Sequence, residues 1–222
     1  MAFSVSYTPA PSHYDFIAYR RGDRSGLKRS AIARGVWRNF GADDVIETGP
    51  SILRNVFDRG ITHFNLANNY RPPYGSAEEN FGRVMATDFN AHRDELVIST
   101  KAGWDMRPGP YGDVDGSRNY LIASCHQSLR RMGLEYVDIF YPQRVEAKTP
   151  LEKTMGALAT LHRRGKALHV GISYYSPTLT AQAAEILRSY RLLLLIHQPS
   201  YSMRNRWIEE QSTLPYEYTP LP

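Results

Sequence analysis

The 222-residue sequence predicts an α/β chain, a (β/α)8 barrel of the TIM type, incomplete, with about six to seven β/α units. Three observations predict it. Short apolar runs alternate with amphipathic helical segments, the mark of parallel strands joined by crossover helices. No Gly-x-Gly-x-x-Gly follows the first strand, which argues against an open dinucleotide-binding sheet. Polar residues gather at the C-terminal ends of the apolar runs, where a barrel places its chemistry. Residues 1–222 read as a single barrel domain, with 1–18 an N-terminal extension and 208–222 a degenerate C-terminal tail.

AIARGVW, residues 31–37, is the first strand. Pro50 opens a helix, with Ile52, Leu53, Val56 and Phe57 at helical spacing. ITHFNLA is the second strand and runs into a polar loop that ends at Tyr70. Ser76 begins SAEE, which has the form of a capping box. ELVISTKAG is the third strand, followed by a Gly-, Pro- and Asp-rich loop from Trp104 to Ser117. Loops of that length are usually functional. Helix RNYLIASCHQSLRRMG and strand YVDIFYPQ come next. Thr149-Pro150-Leu151-Glu152 reads as a capped start with Pro150 at the first helical position, before strand ALHVGIS. Ser176-Pro177 opens a further helix, and LLLLIHQ is the sixth strand.

Composition narrows the function. The sequence is 42% hydrophobic and 22% charged, ordinary for a globular chain. Net charge is +5, but outside a cluster from Arg20 to Arg38 the basic residues are dispersed. No basic helix is interleaved with exposed aromatics, so no nucleic-acid partner is expected. The lone Cys125 forms no disulfide framework, reads as a small core residue and fits a reducing compartment. The N-terminus lacks the basic-then-apolar order of a signal peptide. RLLLLIHQ is too short to span a bilayer. The chain is therefore expected to be soluble and cytoplasmic, with no membrane insertion. No His/Cys/Asp spacing suits a metal. His63 and His169 lie inside strands and read as structural, and His197 reads as a satisfied core histidine.

The strand-end polar residues are Asn65 and Tyr70, Lys101, Gln143 and Arg144, Ser173 and Tyr174, and His197 and Gln198. In a barrel they converge on one mouth.

GITHFNLANNY, STKAG, LEYVDIFY, GKALHVGIS and LLLLIHQPSYS resemble the aldo-keto reductases. NNYRPPYGSAEENFGR and KAGWDMRPGPYG are most similar to the branch that contains bacterial L-glyceraldehyde 3-phosphate reductase, with the potassium-channel β subunits next. The resemblance runs from about Tyr19 to Trp207. It implies NADPH as cofactor and a small aldehyde or ketone as substrate, glyceraldehyde 3-phosphate among them. It matches Tyr70 to the family's proton donor and Lys101 to the lysine that lowers the tyrosine pKa. Asn65 stands where the family has an aspartate paired with that lysine, and Gln143 where most members have histidine. Ser173 and Gln198 match contacts to the nicotinamide carboxamide. Trp37, in G-V-W, matches the G-x-W beside cofactor and substrate, and Tyr70 and Arg144 complete the substrate side.

Some departures are local, and the larger one is at the C-terminal end. Tyr174 replaces Asn or Ser, Arg71 replaces glycine, and Arg29 and Arg34 replace apolar residues near the first strand. A charge aimed into a core is costly unless paired. Asp105, in the mouth loop, is a candidate substitute for the missing aspartate. Asp138 begins its strand, at the wrong end of a barrel, and reads as structural. After Trp207 the wording fades. Tyr218-Thr219-Pro220-Leu221 resembles a seventh strand, the eighth strand and the 2′-phosphate loop have no counterpart, and the chain reads as C-terminally truncated. Two classes of function stand: a reductase, or a non-catalytic relative, the latter either a cofactor- or partner-binding barrel or a decayed fragment. Unclosed strand edges predict a homo-oligomer.

Overall fold

The computed structural model describes residues 7–44, 47–109 and 116–210. The chain first forms a short antiparallel ribbon, β1 (Tyr19–Arg21) with β2 (Lys28–Ser30), in which Arg20 lies opposite Arg29. The sequence reading has no such ribbon; each strand is three residues long, too short for an alternation signal to register.

A six-stranded parallel sheet follows, its strands neighbours in chain order. They are β3 (Ala33–Gly35), β4 (His63–Asn65), β5 (Val97–Ala102), β6 (Val137–Pro142), β7 (Ala167–Ser173) and β8 (Leu194–Gln198). The crossovers are α1 (Thr48–Phe57), α2 (Ser76–Val84), α3 (Arg118–Met132), α4 (Leu151–Arg163) and α5 (Pro177–Ser189); α6 (Trp207–Glu210) comes after β8. This is the strand order of a (β/α)8 barrel carried through six strands, the incomplete barrel that the sequence predicts. The expected seventh strand at 218–221 and most of the 208–222 tail lie outside the described residues, as do residues 1–6. The described part of the N-terminal extension is docked: the Tyr7 hydroxyl donates to Asp58 at 2.8 Å, and its ring packs on Phe89.

One core lies between sheet and helices, where Phe64 meets Phe81 and Phe57 meets Phe89 in edge-to-face pairs at 5.7 and 5.3 Å. A second lies on the other face, where Val97, Ile139 and Tyr141 pack with Leu27, Leu195 and Ile196. Leu27 comes from the ribbon. Gly171 makes room for Tyr141, since a Cβ there would lie 2.3 Å from the ring. Cys125 is fully buried, as a core residue should be.

Two helix starts differ from the sequence reading. Ser76 does not cap α2. It is the first helical residue, its hydroxyl has no partner, and Gly75 takes the N-cap at φ +97°, a conformation open to glycine. In α4 the N-cap is Pro150 itself, and the Thr149 side chain bonds Glu146 instead. Ser176 caps α5 as expected, accepting from the Leu179 N–H at 3.3 Å.

Candidate active site

β4 and β5 bring the first cluster together. Asn65 ends β4 opposite Ser99 of β5, and Lys101 lies one step further along the same face. The Lys101 Nζ donates to Asn65 Oδ1 at 2.6 Å and to the Leu66 carbonyl at 2.7 Å. Asn65 Oδ1 also accepts from the Ser99 hydroxyl at 3.2 Å, and Ser99 Oγ lies 2.9 Å from His63 Nε2. A hydrogen-bonded chain thus runs inward from the lysine. Tyr70 covers the outer side. Nζ stands 5.2 Å from its ring centre and 5.8 Å from that of Tyr141, and the Trp37 ring lies 6.2 Å from Tyr70.

Burial governs the ionisation here. Lys101 is 2% exposed. Desolvation brings its ammonium down to about 7, against a weaker upward pull from Glu78. Tyr70 is pushed up to about 12, first by burial and then by Tyr174. His63 is driven down to about 3 by burial, Arg29 and Lys101, so it is neutral and structural.

β7 and β8 bring together the second cluster. The Ser173 hydroxyl donates to the Gln198 carbonyl at 2.8 Å, as does the Tyr174 N–H at 3.3 Å. Tyr174 holds φ +58°, which turns the chain sharply after Ser173. Gln198 Oε1 is buried without a partner. So is His197 Nε2, and the expectation of a satisfied core histidine fails there. Between the clusters stands Gln143, 8% exposed, its Oε1 also unpartnered. At the rim the Arg144 guanidinium stacks 4.4 Å over Trp104, whose carbonyl accepts from the Tyr120 hydroxyl.

The chain matches the Aldo/keto reductase family model over residues 31–217. It belongs to the aldo/keto reductase family. It is 57% identical to L-glyceraldehyde 3-phosphate reductase of Escherichia coli K12 over 92% of this chain and 59% of that protein. It is 33% identical to an Arabidopsis thaliana protein named "Probable voltage-gated potassium channel subunit beta", over 89% of this chain and 59% of the other. A rice protein of the same name is 31% identical. The chain spans about three fifths of the length of these curated relatives.

Within the aldo/keto reductase frame, the structure gathers Trp37, Asn65, Tyr70 and Lys101 into one cluster and Ser173 with Gln198 into another. Asp105 is exposed, with no contact to Lys101 among the described residues. The carboxylate that acts on Lys101 is Glu78, fully buried and held by Thr100 at 2.6 Å and by Arg131 at 2.7 Å. Asp138 is structural as expected, accepting from the Ile98 N–H at 2.8 Å and pairing with Arg93 at 2.9 Å. Arg71 is turned to Asp44 at 3.1 Å. Arg29 and Arg34 each carry a buried Nε with no partner. Sequence reasoning missed Ser99, Tyr141 and Glu78. Strand alternation points to Ser99, two residues before Lys101; nothing in SAEE marks Glu78 as buried. Among the described residues no helix is long and apolar enough to cross a membrane, and no three metal-ligating side chains cluster.

Proposed function

We propose that this chain is a single barrel domain that reduces a small aldehyde or ketone, glyceraldehyde 3-phosphate among them, with NADPH, in the cytoplasm and as a self-associating protein. The carrying observation is the Lys101 amine beneath the Tyr70 ring at the mouth of the barrel. The nicotinamide end fits the residues present. Gln198 Oε1 is a buried acceptor in want of a donor, and a carboxamide NH2 would supply one. Ser173 lies beside it. When bound, NADPH supplies the hydride to the carbonyl carbon.

The chain's own part is the proton. Tyr70 stays protonated across the physiological range, which keeps its proton ready for the oxygen of the reduced carbonyl. An alkoxide is a far stronger base than a phenolate, so delivery is downhill even from a raised phenol. A charged Lys101 under the ring stabilises the phenolate left behind. Asn65 cannot hold that charge as a carboxylate would, so the help fades as pH rises through about 7. Gln143 and Arg144 orient the substrate, Arg144 with its cation free of carboxylates among the described residues.

The test is NADPH oxidation with a panel of small aldehydes. Turnover should fall as pH passes 7, and Asn65→Asp should restore it on the alkaline side. No turnover in either form would reject the reading. A second reading, a non-catalytic cofactor- or partner-binding relative, rests on Asn65 and Gln143 in place of the family's charged and basic residues. Saturable NADPH binding with no turnover even in Asn65→Asp would favour it.

A further inference from the structure

Lys101 has a second chemistry available, and the hydrogen-bond count reveals it. A lysine ammonium carries three N–H donors and no lone pair; a neutral amine carries two donors and one lone pair. Nζ has two acceptors, Asn65 Oδ1 and the Leu66 carbonyl, and no third among the described residues. Both acceptors are uncharged, and among the described residues no carboxylate is in ion-pair contact with Nζ. The ammonium would leave one N–H unsatisfied in a site 2% exposed, a costly arrangement. The neutral amine is satisfied at both hydrogens, with its lone pair left over. Those two bonds also fix which way the lone pair is held.

We propose that Lys101 is a carbonyl-capturing amine, which forms an imine with small aldehydes that enter the barrel mouth beside Tyr70. The inference rests on the reading of this mouth as a carbonyl site. The Nζ lone pair attacks the carbonyl carbon, a C–N bond forms, and the carbonyl π pair moves to oxygen, which takes a proton from the Tyr70 hydroxyl. The nitrogen, now carrying two protons and a positive charge, returns one to the Tyr70 phenolate to give the neutral carbinolamine. The C–O bond then breaks, the nitrogen lone pair forms the C=N bond, and the second N–H proton leaves with the hydroxide as water. Aldehyde plus amine yields imine plus water, with no change of oxidation state.

The groups around Nζ agree with this. Tyr70 and Tyr141 wall it with rings; His63, further along the hydrogen-bonded chain through Ser99, is neutral, and Arg29 is the cation that acts on both His63 and Tyr141. Among the described residues, Glu78 on α2 is the carboxylate that acts on it, and its charge is already engaged by Arg131. Asn65 is the decisive residue. An aspartate there would hold the ammonium and remove the lone pair.

The experiment treats the full chain with glycolaldehyde and cyanoborohydride at pH 7 and maps adducts by peptide mass spectrometry. A reduced imine adds the aldehyde less one oxygen atom. The expected result is saturable labelling of Lys101, above that of surface Lys148 and Lys153. It is lost in Lys101→Arg and reduced by roughly tenfold or more in Asn65→Asp, which shifts the amine toward its charged form. Far-UV circular dichroism verifies that both variants fold. Labelling confined to surface lysines, or unchanged in Asn65→Asp, overturns the proposal. NADPH turnover is measured on the same samples. Turnover without a Lys101 adduct rejects the imine alone; an adduct without turnover rejects the reductase reading alone.

Discussion

β5 and β8 both end in residues of the site, yet they are housed differently. All six residues of β5 are buried, and the strand pairs with β4 on one side and β6 on the other. All five residues of β8 are half-buried, and among the described residues it pairs with β7 alone. Lys101 therefore sits in a finished environment, its donors aimed at fixed acceptors. Gln198 sits in a less covered strand, its Oε1 buried without a hydrogen-bond partner. The lysine half of the mouth is closed by the protein's own groups; on the proposed reading, the Ser173 and Gln198 half is completed by the nicotinamide.

The largest expected effects break this contrast chemically. Lys101→Met or Tyr70→Phe should lower kcat for aldehyde reduction by roughly 10²–10⁴-fold, the usual value of general acid–base help. Gln198→Ala should instead raise the KM for NADPH, with kcat little changed. Steady-state kinetics separates them, and equal loss of kcat would mean that both halves act on the proton.

The next effects are in stability. Ile98→Ala on β5 should cost about 2–5 kcal/mol in urea unfolding, the range for a fully buried aliphatic side chain. Ile196→Ala on β8 should cost about 1 kcal/mol, since less of it leaves water. Equal costs would mean that β8 is covered in solution.

Lys101 also sets a pH dependence. Its folded pKa lies below its unfolded one, so between about 7 and 10.5 the unfolded chain binds the extra proton. Stability from this group therefore increases with pH across that window and is lost as pH falls toward 7. Asn65→Asp, by pairing the ammonium, should flatten the slope seen in urea midpoints from pH 7 to 9. The smallest effect is at the ribbon. Arg29→Leu removes a guanidinium whose buried Nε has no partner, and should stabilise by about 1 kcal/mol.

Much of this arrangement was legible in the sequence because strand ends carry it. The six apolar runs gave the sheet, and the residues that follow each run gave the mouth. Asn65, Tyr70, Lys101, Ser173 and Gln198 all lie where strand period and barrel topology put them. What sequence could not supply was partnership. Glu78 reads as one of two helical glutamates in SAEE, and only packing distinguishes the buried one that meets Arg131 from exposed Glu79. Ser76 reads as a cap, yet Gly75 with its positive φ takes that place. The ribbon escaped because its three-residue strands are dominated by charge. Asp105 was a candidate by loop position alone, and exposure removes it.

The most direct test is titration of the chain with NADPH, followed by quenching of tryptophan fluorescence, with Trp37 beside Tyr70 as the reporter. The prediction is saturable quenching that weakens in Gln198→Ala and persists in Tyr70→Phe. A folded chain that shows no saturable quenching would contradict the claim that this mouth is a cofactor site.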